Sequence, residues 1–263
     1  MPRAQTGYSG HLATISKEES IRAYYLTLRG AWGRQHWWPA ASRFEVIVGA
    51  YLTQNTAWTN VEKALRRLRA ARKLSIRAIR EIPVPELETL IRSAGYFRQK
   101  AARLKTFTAF LDETYAGSMT RMFAQPTQRL REQLLALNGV GPETADSILL
   151  YAGQHSIFVV DAYTRRILDR HRIVSAKATY DDIRELVEIS LQRRLSSISQ
   201  SESTYTAPAG TAHRPSRMSL AKRSSLAQTY NEMHSLMVGV GKHFCVKSKP
   251  RCEVCPLQRF LPK

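Results

Sequence analysis

The stretch Leu137-Asn138-Gly139-Val140-Gly141-Pro142-Glu143-Thr144-Ala145-Asp146, followed by Val159-Val160-Asp161, pairs a phosphate grip with a carboxylate. Gly139 and Gly141 can adopt positive φ and let another backbone come close. Pro142 fits the first position of a new helix, where its missing N–H costs nothing. The N–H groups of this hairpin and the positive end of the new helix would face outward as an anion site suited to a DNA phosphate, with Gly139, Val140, Gly141 and Thr144 as its contacts. Asp161 stands one short helix further on, at the start of a third helix, where it can act on whatever the grip holds. The same residues also suit a helix–turn–helix of pure packing, with Asp161 as an ordinary N-cap.

Charge favours the first of these readings. The 263 residues hold 40 Lys and Arg against 21 Asp and Glu, a formal net charge of +19. Such a surplus attracts polyanions, nucleic acid above all. The basic residues are spread through the chain, as at Arg66-Arg67, Arg98, Lys100, Arg103 and Arg165-Arg166, which suits a folded binding face better than a basic tail. No apolar run is long enough to span a bilayer. The N-terminal residues lack the apolar core of a secretory signal. Only Cys245, Cys252 and Cys255 occur, too few and too clustered for a disulfide framework, so a reducing cytoplasm is expected.

The elements that must position these groups are helical throughout. Apolar residues at helical spacing predict helices over 17–29, 44–52, 61–72, 86–93, 99–115, 129–137, 142–152, 162–169, 180–195 and 226–240. Ser16 is the expected N-cap of the first, with Glu19 completing a capping box. Gly95 reads as a helix stop. Gly49-Ala50 gives the second helix a small-residue surface. The run 157–160 reads as a buried connector rather than part of a sheet. Residues 196–225, rich in Ser, Thr, Ala, Pro and basic residues, read as a flexible insertion.

With these segments in order, the chain resembles the endonuclease III superfamily of DNA glycosylases. Four segments carry the resemblance: Leu52-Thr53-Gln54-Asn55-Thr56, Gly95-Tyr96-Phe97-Arg98-Gln99-Lys100-Ala101, the hairpin through Asp161, and the cysteine loop. The implied fold is all-α and two-lobed. A six-helix barrel with the helix-hairpin-helix spans 37–170, and the second lobe joins residues 1–36 to 171–244. Residues 245–263 form the cysteine loop. The implied activity is to flip a damaged base out of duplex DNA and cleave its N-glycosidic bond, as a monomer on double-stranded DNA. Asp161 becomes the catalytic carboxylate, stabilising the positive charge that develops on the sugar. Gln54 corresponds to the residue that fills the hole left by the flipped base, and Tyr96 to a wedge in the opposite strand. Lys100 joins them as a DNA contact.

Two positions define the subtype. Bifunctional members of the family carry a lysine after Pro142, whose amine forms a Schiff base with the sugar. This chain has Glu143, which cannot. That implies a monofunctional enzyme, with Glu143 polarising water, contacting the base, or simply complementing the positive end of its helix. The four tryptophans, Trp32, Trp37, Trp38 and Trp58, all fall in the first quarter of the chain. Trp37-Trp38-Pro39 and the segment up to Trp58 resemble the pocket wall of the bacterial 3-methyladenine DNA glycosylases. Cationic alkylated purines stack well on indoles, so Trp37 or Trp38 with Trp58 is the expected base pocket, at least two of the four being core.

Cys245, Cys252 and Cys255 match the first three ligands of the superfamily's 4Fe–4S site, but the fourth position falls at Leu261. A cluster with another fourth ligand, a zinc site recruiting His243 or His234, and a loop that folds by packing alone all remain open. Two further functions compete with alkylation repair. One is an endonuclease III-like glycosylase and lyase acting on oxidised pyrimidines or mismatched bases; the other is a non-catalytic DNA-binding module.

Overall fold

The computed structural model describes residues 15–192 and 213–262. Among the described residues the chain forms helices and connecting turns, with no strand. Helix α1 (Lys17–Trp32) opens on the capping box read from the sequence: Ser16 Oγ accepts from Glu19 N at 3.1 Å, and the Glu19 carboxylate accepts from Ser16 N at 2.8 Å. Helix α2 (Arg43–Leu52) is buried from Phe44 onward. A helix apolar all round belongs inside a core, and α2 is the core around which α3 (Trp58–Ala70), α6 (Phe97–Tyr115) and α9 (Pro142–Ser147) pack. Glu45 is the polar exception on α2 and pairs with Arg69 of α3.

The second lobe closes the chain on itself. Helix α1 packs across α11 (Tyr180–Gln192) and α12 (Ser225–His243), and α12 lies along α10 (Ala162–Arg170). The α10–α12 crossing requires Gly241, where an added Cβ would lie 2.3 Å from the Tyr163 ring. The two helices therefore approach more closely than any larger residue permits.

Two short helices, α4 (Ile76–Glu81) and α7 (Met119–Phe123), escape the sequence reading because fewer than two turns show no period. Between them in sequence, α5 (Val84–Ile91) ends in a 3-10 turn stopped by Gly95 at φ +65°. The helix expected over 142–152 divides into α9 and a π-helical turn, Ile148–Gly153. Residues 157–160 are the buried connector the sequence implies. Side chains serve its backbone: Glu188 accepts from Phe158 N at 2.8 Å, and the Tyr180 hydroxyl accepts from Val160 N at 3.3 Å.

One expectation is corrected in part. Residues 196–212 of the proposed insertion lie outside the described residues, as do 193–195 of the helix expected over 180–195, but 213–224 are docked rather than a solvated linker. His213 N donates to Gln35 O at 3.1 Å, Met218 N to Ala40 O at 3.1 Å, and the Ser216 hydroxyl to Trp38 O at 3.2 Å. Met218 is buried beneath them. The polar composition conceals a segment that supplies hydrogen bonds to the loop carrying the two adjacent tryptophans.

Candidate active site

The first wall of the site is aromatic. Trp37 and Trp38 lie between α1 and α2, and both are buried. Trp38 rests on the small-residue surface of α2: a Cβ on Gly49 would lie 3.1 Å from its ring. Trp58, at the start of α3, meets Trp38 edge-on with centroids 5.0 Å apart and planes at 90°. Its Nε1 donates to Glu62 at 3.0 Å. Trp32 is elsewhere, stacked on Phe244 at 5.9 Å, and belongs to the core.

The second wall carries two carboxylates. Asp161 is the N-cap of α10, with Oδ1 accepting from Thr164 N at 2.7 Å. That hydrogen bond fixes the side chain and leaves Oδ2 directed away from the helix. Glu143, in the first turn of α9, faces the same space. Trp37, Trp38, Trp58, Glu143, Asp161 and His234 together line a cavity of about 410 Å³. Glu143 is open to solvent through the cleft yet crowded by protein on its other sides. This crowding, reinforced by the charge of Asp161, pushes its carboxyl up to about 7.

Glu143 also borders a second hollow of about 490 Å³, on the hairpin side, with Gln54, Arg103, Gly139 and Thr144. Gln54 is held here: its Nε2 donates to Gly139 O at 3.0 Å and to Thr144 Oγ1 at 2.9 Å, while Arg103 donates to its Oε1 at 2.6 Å. The hairpin joins α8 (Thr127–Leu135) to α9 and is braced from within by Arg131. Arg131 grips Asp146 through hydrogen bonds of 2.8 and 3.3 Å and also bonds Asp181 at 2.9 Å.

Several expected DNA contacts are differently placed. Lys100 is not a phosphate ligand in this structure. It is fully buried, donating to Leu52 O at 2.9 Å and Ala94 O at 2.7 Å, and burial, with Arg103 nearby, lowers its amine to about 8. It closes the ends of two segments whose carbonyls would otherwise be unpaired. Val140 is buried and its N–H is spent on Leu137 O at 3.1 Å. Thr144 is buried against Gln54. Only Gly139 of the two hairpin glycines has positive φ, at +76°, whereas Gly141 is extended at −93° and exposed. Tyr96 does project, 66% exposed, from a left-handed backbone position ahead of α6.

The sequence reading missed Tyr151, which backs the cavity wall, and Lys242, which lines it, while Lys247 belongs to the basic loop 247–251 expected to bind DNA phosphates. Tyr151, on the π-helical turn, packs against Trp38 at 5.1 Å, and its hydroxyl hydrogen-bonds His234 Nδ1 at 2.6 Å. Lys242 and Lys247 also line the space. His234 had a visible signal as a lone imidazole in the apolar run of α12, although it was read only as a metal ligand.

Residues 48–193 match the family described as "HhH-GPD superfamily base excision DNA repair protein". The chain belongs to the HhH-GPD superfamily. As a member, it is a DNA N-glycosylase of base-excision repair, and it binds DNA. It is 40% identical over 247 residues to a protein of Methanocaldococcus jannaschii that carries the name of a DNA repair glycosylase, covering 93% of this chain and 97% of that one. The structure of H. pylori 3-methyladenine DNA glycosylase bound to 1,N6-ethenoadenine superposes with a TM-score of 0.66 at 28% identity, over 86% of this chain and 97% of that one. A trapped covalent intermediate of endonuclease III with DNA superposes at 0.67 and 21% identity, over 93% and 95%. That likeness is one of fold.

The cysteine loop does not fit a four-thiolate cluster. Cys245, Cys252 and Cys255 border a hollow of about 20 Å³ together with Leu261, which has no donor atom. Among the described residues no three His, Cys, Asp or Glu side chains converge as a metal site. Burial, with Cys245 and Cys252 close by, pushes the Cys255 thiol up. Neither histidine joins them as a zinc ligand: His234 faces Asp161 and Tyr151, and His243 lies against Phe244. Arginines of α10 hold the loop instead. Arg166 donates to Cys245 O at 2.6 Å and Gly241 O at 3.1 Å, and Arg170 to Val246 O at 2.7 Å and Lys247 O at 2.9 Å.

Proposed function

We propose that this HhH-GPD protein is a monofunctional glycosylase for alkylated purines of the 3-methyladenine type. The observation that carries the proposal is the cavity itself, in which three indoles face two carboxylates across about 410 Å³. The 28% identity to an H. pylori enzyme named for 3-methyladenine supports the same reading.

The chemistry follows from the charges. A purine alkylated on its ring nitrogen is cationic, and its attraction to an indole face exceeds that of a neutral base. It also departs as a neutral base, taking the glycosidic electron pair with it, so no acid is needed to protonate it. The deoxyribose is left with positive charge at C1′. Asp161, fixed by its cap hydrogen bond, stabilises that charge at short range. A water molecule then bonds to C1′, and its proton passes to Glu143, whose raised pKa makes it a more competent base than an ordinary carboxylate. Gln54 fills the vacated stack and Tyr96 wedges the opposite strand.

One observation favours a second reading. Lys242 lines the same cavity, and burial lowers its amine, the condition under which a lysine attacks an aldehyde. Strand cleavage through Lys242 would make the enzyme bifunctional despite Glu143. Incubation with randomly methylated duplex DNA separates the two, with released bases identified by chromatography and strands resolved on a gel. Release of 3-methyladenine without nicking is the expected result. Nicking without added lyase overturns the monofunctional reading, and no release of methylated bases overturns the substrate.

A further inference from the structure

The steps above leave two buried side chains behind Asp161 without a role. His234 sits on α12 at 5% exposure, and its Nε2 is buried with no hydrogen-bond partner. That nitrogen lies 3.6 Å from Asp161 Oδ2, the carboxylate oxygen not used by the helix cap. Its other nitrogen, Nδ1, shares a 2.6 Å hydrogen bond with the Tyr151 hydroxyl. The Trp37 and Phe158 rings, with centroids 6.2 and 6.3 Å from the imidazole, close the remaining space.

Burial sets the charge states of the pair. The Tyr151 phenol is held well above its ordinary pKa by burial and by the negative charge of Asp161, so it keeps its proton. Burial lowers the His234 imidazole, which keeps that ring neutral. A neutral imidazole carries one proton, and the phenol has only one to give. A phenol can accept as well as donate, so the geometry decides: Nε2 faces a carboxylate oxygen, which only accepts, and this assigns the imidazole proton to Nε2 and leaves Nδ1 to accept from Tyr151. A buried donor without a partner is costly, and a carboxylate oxygen 3.6 Å away is the acceptor a small movement would reach.

We propose that His234, oriented by Tyr151, is a positioning residue that holds Asp161 Oδ2 towards the sugar through its Nε2–H. The inference rests on Asp161 being the catalytic carboxylate. The arrangement also ties that carboxylate to the base pocket, because Tyr151 packs on Trp38 and His234 on Trp37. A base stacked on those rings would press on the groups that set Asp161. The other charged groups facing Asp161 are Glu143 from α9 and Lys242 from α12, and Arg223 faces Tyr151 from the docked 213–224 segment.

The test combines a probe that needs no substrate with one that does. Imidazole 15N NMR of histidine-labelled protein, with the His234 signal assigned by its loss in His234→Gln, is expected to show the Nε2–H tautomer. That signal should shift in Asp161→Asn and convert to mixed tautomers in Tyr151→Phe. The Nδ1–H tautomer in the wild type, or a signal unmoved in Asp161→Asn, overturns the proposal. In single-turnover base release from methylated duplex DNA, His234→Leu is expected to be slower by about 10- to 100-fold with DNA affinity unchanged. His234→Gln, which keeps a donor near Nε2, should recover most of the rate. Tyr151→Phe removes one hydroxyl and provides the kinetic test should His234→Leu fail to fold. Rates equal to wild type in folded His234→Leu or Tyr151→Phe overturn the inference. If Asp161→Asn is also fully active, the functional reading has failed instead.

Discussion

Replacing Asp161 by Asn separates chemistry from folding at one atom. Asn is as good an N-cap as Asp, and its Oδ1 keeps the 2.7 Å hydrogen bond from Thr164 N. The stability change is therefore a few tenths of a kcal/mol, a shift in Tm of about 1 °C for a chain of this size. The chemical cost is far larger. A full charge about 4 Å from a sugar cation, at an effective dielectric near 20, is worth about 4 kcal/mol. Divided by 1.36 kcal/mol per decade, that is about three decades of rate. The assay is single-turnover base release with enzyme in excess, alongside fluorescence anisotropy for DNA affinity and a thermal melt. Asp161→Asn is expected to melt with the wild type, bind DNA at least as tightly for want of one negative charge, and release base about a thousandfold more slowly. Asp161→Ala should be equally slow but lose about 1 kcal/mol through the missing cap. A folded Asp161→Asn protein within tenfold of the wild-type rate refutes charge stabilisation by this carboxylate.

Four further outcomes follow from the geometry. With Glu143 raised to about 7, base release should rise between pH 6 and 8, whereas Glu143→Gln should be flat with pH and slower by about 100-fold; its folded carboxyl lies above the ordinary range, so the wild type should lose stability relative to Glu143→Gln as pH rises from about 4.5 through 7, measured by melts at pH 5 and 8. Asp146→Ala strands the buried Arg131 guanidinium and, with Asp181 still in place, should cost about 3 kcal/mol, of which Arg131→Met in the same chain restores part; a melt showing less than about 1 kcal/mol contradicts the brace. Gly139→Ala, at φ +76° and with the new methyl 1.9 Å from the Arg103 guanidinium, should lose at least about 1–2 kcal/mol on thermal unfolding, and an unchanged Tm would show that the hairpin yields. Iron chelation should leave Tm and base release unchanged, while Arg170→Ala should lower both by freeing the cysteine loop; loss of activity on chelation reverses the account of that loop.

The legible parts of the site were those set by backbone conformation and short spacing. A glycine hairpin followed by Pro142, a capping aspartate at Asp161 and the Ser16–Glu19 capping box are local, because each depends on residues within about four positions. Charge density and the clustered tryptophans are likewise properties of composition. Other features depended on distant partners. Lys100 reads as a surface cation until Leu52 O and Ala94 O are seen to enclose it. Thr144 reads as a DNA contact until Gln54, ninety positions earlier, takes its hydroxyl. The polar 213–224 segment looks like a linker because its role is to hydrogen-bond backbone near Gln35 and Ala40, which leaves no apolar period.

By itself the sequence determined an all-helical, DNA-directed chain with a hairpin, a capping carboxylate and an aromatic cluster, since helix periodicity, caps and net charge are short-range or additive quantities. The tertiary structure alone decided that three indoles, Glu143, Asp161 and His234 line one cavity, and that Tyr151 stands behind His234. It also decided that arginines, in place of a fourth cysteine, hold the C-terminal loop. Those facts depend on which helix faces cross, and the crossing of α10 and α12 at Gly241 is a packing event between residues nearly eighty positions apart. No local property of either segment specifies that contact; it exists only when the whole core closes around α2.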